Sequence, residues 1–191
     1  MMNETDTPPQ QSAEEAAASF VGKLTWMNRQ AVEKGDSEAR AKLARLRRSL
    51  GALEVSTAAL SDVGAWLPDK LSDDQLDAYL LTAALFALNP PPASDKKLDE
   101  QRRWTSLGST LRELRRKLSA GAESLDRRVT ALLDADLPDL PYRLRQIIQM
   151  LKSNGLAPDY RQLLLDLLRW DAPTRSVQRR WARDYWTGET N

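Results

Sequence analysis

PDLPYRLRQIIQMLKSNGLAPDYRQLLLDLLRWDAPTRSVQRRWARDYW, residues Pro138 to Trp186, decides the fold. Leu144, Ile147, Ile148 and Leu151 recur at the three- and four-residue intervals of one helix face, and Leu163, Leu167 and Trp170 repeat the pattern further on. Proline, glycine and aspartate punctuate the stretch into three helices with short connections. On the first of them Arg145, Gln149 and Lys152 follow one another at spacings of four and three, along a flank of the apolar stripe. Cations and an amide donor in that register form a row able to track phosphates from a rigid element.

The same periodicity extends outward in both directions. Upstream, LGSTLRELRRKL and SLDRRVTALLDA read as two further helices of the second half. In the first half a helix is expected from Ala13 to Lys34, with Phe20, Leu24 and Met27 inward and Gly35-Asp36 ending it. Another is expected over Ser37 to Leu50, with Leu43, Leu46 and Leu50 as its stripe. Arg45 and Arg48 fall opposite that stripe and Arg40 and Arg47 flank it. Residues 51 to 71 read as irregular, with a loop or short turn at Trp66-Leu67-Pro68. Ser72 with Gln75 three residues later has the capping-box pattern. It opens an apolar helix through Leu88 that leaves little polar surface and is expected at the centre. No segment alternates with period two, so the fold class is all-α.

Asn89-Pro90-Pro91-Pro92 cannot continue that helix, and ASDKKLDEQRR after it is polar and mixed in charge. The expected organisation is a disordered leader over residues 1–12, an N-terminal helical subdomain over 13–89, a mobile polar loop over 90–104 and a basic C-terminal subdomain over 105–187. These amount to two small helical bundles packed together and joined by a Pro-rich loop.

A formal charge of +1 conceals a polarised chain. Residues 1–100 hold 11 basic and 16 acidic side chains, and residues 101–191 hold 17 and 11. A basic half beside an acidic half points to a surface that meets phosphate. Arginine outnumbers lysine 20 to 8, which suits bidentate phosphate binding, although a genome-wide codon bias would give the same ratio.

The chain has neither cysteine nor histidine. Disulfides and thiolate chemistry are thereby excluded, and so are the commonest general base and the commonest transition-metal ligand. P-loop, GxGxxG, GxSxG and HExxH signatures are all missing. Asp134 with Asp136, or Asp73 with Asp74, could in principle hold Mg²⁺, but acids at helix ends more commonly serve as caps and dipole partners. Neither a catalytic residue, a metal site nor a cofactor is expected. The acidic start lacks signal-peptide character, and no run of apolar residues suffices to span a bilayer, so a cytoplasmic location is expected.

Three basic patches are the candidate site. Arg40, Lys42, Arg45, Arg47 and Arg48 place five basic residues in nine with no acid among them. Arg127 and Arg128 form the second, with Arg115, Arg116 and Lys117 upstream. Arg145, Gln149 and Lys152 form the third. Any one of these could be an ordinary solvated helix face; three in concert point to a polyanion, bound through its backbone because no base-reading motif is present. Six tryptophans are candidates for base stacking or for core anchoring. Trp170 reads as core, and Trp181 and Trp186 read as anchors of the last helix, part of whose face could meet a neighbouring subunit.

An ordered series carries a resemblance: Gly35-Asp36 with AKLARLRR, then ALFALNP, a variable polar loop, SLGSTLREL, SLDRRVTALLDAD, LPYRLRQIIQMLKS, DYRQLLLDLLRWD and VQRRWARDYW. Over residues 20 to 187 the chain resembles the CasB family, the small subunit of the type I-E CRISPR Cascade surveillance complex. The resemblance implies an all-helical, non-enzymatic protein with two helical subdomains, sitting as a small-subunit dimer between the crRNA-bearing backbone and the large subunit. It implies help in holding crRNA, target DNA and displaced strand in the R-loop. It also implies a basic surface that includes arginines of Ala41 to Arg48, Arg127 or Arg128, and Arg143 or Arg145, with Lys96, Lys97, Arg102 and Arg103 in the polar loop. Such a complex delegates sequence reading to base pairing and uses protein to hold backbones. A protein–protein assembly scaffold whose arginines pair with acids of partner subunits is the alternative.

Overall fold

The structure is a computed structural model and describes residues 9–50, 57–92, 105–118 and 121–187. The described residues form an all-α fold of nine α-helices and one 3-10 turn: α1 (Pro9–Glu33), α2 (Ser37–Ser49), α3 (Thr57–Val63), the turn Gly64–Trp66, α4 (Asp73–Leu88), α5 (Leu107–Lys117), α6 (Ala122–Leu133), α7 (Leu140–Ser153), α8 (Tyr160–Leu167) and α9 (Ser176–Trp186). Residues 1–8 of the expected leader and 93–104 of the expected loop lie outside the described residues.

Local chemistry sets most of these boundaries. Gly35 ends the first helix with a φ of 69°, and the Asp36 carboxylate caps α2 by accepting from the backbone N–H groups of Glu38 and Ala39 at 2.8 and 3.2 Å. The expected capping box is present: Gln75 N–H donates to Ser72 Oγ and Ser72 N–H to Gln75 Oε1. Two expectations need correction. The first helix starts at Pro9 rather than Ala13, and the stretch read as irregular contains α3 and the 3-10 turn. A helix of seven residues is too short to hold itself together in water; α3 exists because it packs on α2 and α4.

Helix α4 is the hub, touching α1, α2, α3, α7 and α8. Ten of its sixteen residues are buried, among them every residue from Thr82 to Leu88. From the second half of the chain, α8 inserts against α1 and α4, and one hydrophobic cluster runs from Ala17 through Phe86 and Leu144 to Tyr185. α5 lies on α9, and α6 joins α7 and α9. Phe20 meets Tyr79 edge to face at 5.0 Å, and Phe86 meets Tyr160 at 5.1 Å, so aromatic pairs couple α4 to two of its partners, α1 and α8.

The last helix is pinned by a buried carboxylate. Asp166 of α8 accepts from Trp181 Nε1 at 2.6 Å, from Gln162 Nε2 at 2.6 Å and from Arg180. Burial pushes this carboxyl up, against the pull of Arg180, Trp181 and Gln162. Trp181 and Trp170 are core residues, as expected. Trp186 departs from expectation: it is 45% exposed.

Candidate nucleic-acid interface

The C-terminal end of α4 organises the basic surface. An α-helix leaves its final carbonyls without intrahelical partners, and their dipoles attract cations. Here Arg47 Nε donates to Ala87 O at 3.0 Å, and Lys152 Nζ donates to Leu88 O at 2.9 Å. The Tyr160 hydroxyl lies 2.7 Å from Asn89 O and 3.0 Å from Leu85 O, while Asn89 Nδ2 donates to Leu156 O at 2.8 Å. Burial raises the Tyr160 phenol well above its ordinary value, which keeps it a donor. Side chains from α2, α7 and α8 thus close one helix end, and two of them are cations from separate patches of the sequence.

A second bridge occurs midway along α7. Arg128 of α6 donates from Nη1 to Gln146 Oε1 at 3.1 Å, one residue from Arg145. Three patches spread over more than a hundred residues are therefore linked: α6 to α7 through Arg128 and Gln146, α7 to α4 through Lys152, α4 to α2 through Arg47. The sequence pattern does not single out Gln146; its only trace there is its place beside the Arg145 row.

Each expected site residue has a distinct position in this arrangement. Leu144, Ile147, Ile148 and Leu151 are buried at 0–1% exposure, and Gln149 and Lys152 stand on the exposed side with Arg145 half-buried beside them. Arg48 and Arg127 are exposed. Arg143 sits over the Tyr142 ring at 5.8 Å, and its buried Nε has no hydrogen-bond partner. Other members serve the fold first. Arg45 grips Asp62 of α3 with two hydrogen bonds of 2.8 and 2.6 Å, and the Asp62 side chain is only 3% exposed. Lys42 pairs with Glu38 at 2.9 Å, and Arg40 folds back on the carbonyls of Gly35 and Asp36. Lys96, Lys97, Arg102 and Arg103 lie outside the described residues.

Upstream of α6, Arg115 is held by Asp126 at 3.0 Å, and the Tyr185 hydroxyl donates to the same carboxylate at 2.5 Å. Burial pushes the Asp126 carboxyl up, but the hydrogen bonds from Tyr185 and Arg115 outweigh it and the net direction is down. Among the described residues no three carboxylates gather as metal ligands, and no helix is long and apolar enough to cross a membrane. Asp134 faces Arg175 at 4.0 Å, and Asp73 and Asp74 occupy the first turn of α4. Asp73 and Asp74 thus complement the positive end of the α4 dipole, whereas Asp134 is the C-cap of α6, where its charge opposes the dipole and Arg175 offsets it.

Comparison with known proteins bears on the sequence and the fold. A family model described as CRISPR-associated protein Cse2 matches residues 42–186. The curated protein CRISPR-associated protein Cse2 of Thermus thermophilus is 38% identical over 113 residues, which are 59% of this chain; the match spans 58% of that relative's length. The crystal structure of CasB from Thermus thermophilus superposes with a TM-score of 0.67 at 32% identity, covering 90% of this chain and 97% of that one. A chain of a CRISPR RNA-guided surveillance complex superposes with a TM-score of 0.71 at 23% identity, covering 91% and 92%. Sequence match and helical fold agree: this chain belongs to the Cse2 family of CRISPR-associated proteins.

Proposed function

We propose that this chain is a non-catalytic, nucleic-acid-binding small subunit of the type I-E Cascade surveillance complex. It holds crRNA, target strand and displaced strand in the R-loop by contacts to their backbones. The observation that carries this reading is the linkage of three separate basic patches, α6 to α7 to the end of α4 to α2, through Arg128, Lys152 and Arg47. A row assembled from three helices, α2, α6 and α7, follows a strand more readily than any one helix face, and fixed cations lose little freedom when phosphate arrives. Arg48, Arg127 and Arg145 are its freest cations, with Arg47, Arg128 and Lys152 tethered between them. Strand exchange in an R-loop is close to balanced, so modest backbone contacts shift it.

The test is charge reversal at residues that do not hold the fold. Arg48→Glu with Arg145→Glu is expected to weaken binding of single-stranded nucleic acid without changing the thermal midpoint. It should also flatten the dependence of affinity on salt by about 0.7 in slope per lost phosphate contact. Affinity and slope unchanged in the double variant, or wild-type affinity that ignores salt, would refute the assignment.

The scaffold reading is favoured by one observation: Arg45, Lys42 and Arg40 already have partners within the chain, leaving fewer cations for phosphate. An isolated protein that fails to retard nucleic acid at low salt, yet assembles with the other Cascade subunits, would select it.

A further inference from the structure

The outward face of α9 holds a second row that the three patches do not include. Arg179, Arg183 and Trp186 follow at spacings of four and three, the same register as Arg145, Gln149 and Lys152, while Val177, Gln178, Trp181 and Tyr185 of the same helix are buried. Arg179 is exposed and the Arg183 side chain is 68% exposed, its nearest acid being the adjacent Asp184 at 3.6 Å. The row ends in an aromatic ring whose position is fixed. Tyr185 meets Trp186 edge to face at 4.6 Å and 79°, and the Arg115 guanidinium lies 5.8 Å from its centroid. Arg115 is itself held by Asp126, so the cation and the ring are mutually positioned. The last turn of α5 carries Arg115, Arg116 and Lys117, of which Lys117 pairs with Glu113 at 3.7 Å.

A tryptophan meant only as an anchor would be buried, as Trp181 is at 1% exposure; Trp186 keeps 45% of its surface in solvent beside Arg115. An exposed apolar ring with a guanidinium over it and Arg183 one turn back on the same helix suits a flat, polarisable, phosphate-bearing ligand better than an apolar protein surface. We propose that Trp186 is a stacking platform for an unpaired base of single-stranded nucleic acid, with Arg179 and Arg183 gripping the adjoining phosphates. The proposal rests on the reading that the chain contacts nucleic acid, and adds to it a site that senses bases as well as backbone. Duplex, whose bases are already stacked on one another, is a poor ligand for such a platform.

The experiment compares an oligothymidylate with an abasic oligonucleotide of the same length, each titrated at low salt against the wild-type chain, Trp186→Ala and Trp186→Phe. Wild type is expected to prefer the base-bearing strand about tenfold, the order that one stacked base supplies. Trp186→Ala should lose that preference and Trp186→Phe should retain most of it. Equal affinity of wild type for both strands overturns the platform while leaving salt-dependent backbone binding intact. So does a Trp186→Ala variant that keeps the preference. Unchanged strand binding with loss of assembly into Cascade identifies Trp186 as a protein contact and likewise overturns it. Failure of wild type to bind either strand overturns both this site and the reading beneath it. The abasic comparison on wild type needs no substitution, so its outcome does not depend on how any variant folds.

Discussion

Replacing Gly108 with alanine tests the packing that positions Trp186 and Arg115. Gly108 lies in the first turn of α5, where that helix crosses α9. A Cβ added there would stand 2.2 Å from Trp181 O, 2.8 Å from Trp181 Cα and 2.9 Å from the Trp181 carbonyl carbon. Carbon atoms in contact ordinarily sit at about 3.5–4.0 Å, so the crossing would have to open by roughly an ångström. Every atom it meets is backbone, so no side-chain rotation relieves it. Trp181 in turn is fixed by its hydrogen bond to Asp166, and Ser106 Oγ donates to Asp184 at 2.5 Å across the same crossing. Overpacking costs typically 1–3 kcal/mol, and contact this close to backbone belongs at the upper end, about 3 kcal/mol. The intrinsic helix preference for alanine over glycine offsets at most about 1 kcal/mol, leaving a net loss of roughly 2 kcal/mol.

Gly22 supplies the control. It is exposed in the middle of α1, and a Cβ there meets nothing within 4 Å, so Gly22→Ala should stabilise by about 1 kcal/mol. Urea denaturation followed by far-UV circular dichroism would read both, the midpoint falling for Gly108→Ala and rising for Gly22→Ala at unchanged slope. If Gly108→Ala raises the midpoint as Gly22→Ala does, the close crossing of α5 and α9 is wrong, and with it the placement of Trp186.

Two further expectations concern charges that serve the fold. Arg45→Ala should lower the denaturation midpoint because it strands the buried Asp62 carboxylate, Asp62→Asn should restore part of the loss, and Arg48→Ala should leave the midpoint where it was; equal effects of the two arginine variants would contradict the assignment. Asp126 predicts an acid dependence. Its folded-state carboxyl lies below the ordinary value, so its contribution is complete above about pH 4 and is lost as pH falls through the folded value. Thermal midpoints of wild type and Asp126→Asn should therefore converge toward low pH, and a gap that widens on acidification would refute the Arg115–Asp126–Tyr185 arrangement.

The helices legible in the sequence are those whose signals are local. The Ser72–Gln75 box and the stripe of α7 depend on residues three and four apart, and both appear as read. Helix α3 was not legible, because seven residues carry too little periodicity and hold their shape only against α2 and α4. Within the site, periodicity separated Arg145, Gln149 and Lys152 from the inward leucines and isoleucines. It could not separate Arg45 from Arg48, since both lie opposite the stripe of α2, and only the arrival of Asp62 from α3 distinguishes them. The spacing of Arg179, Arg183 and Trp186 was equally visible, yet whether the ring was buried depended on where α5 and α6 lie.

By itself, then, the sequence determined the all-α class, the inward faces, the caps and the polarity of charge between the halves, because each follows from near-neighbour spacing and composition. Tertiary structure alone decided that two of the basic patches meet at the end of α4 while Arg128 ties the other to α7, that several arginines are committed to internal partners, and that Trp186 stands exposed beside Arg115. Those are contacts between residues far apart in the chain, and their geometry exists only once a shared hydrophobic core has fixed the helices against one another.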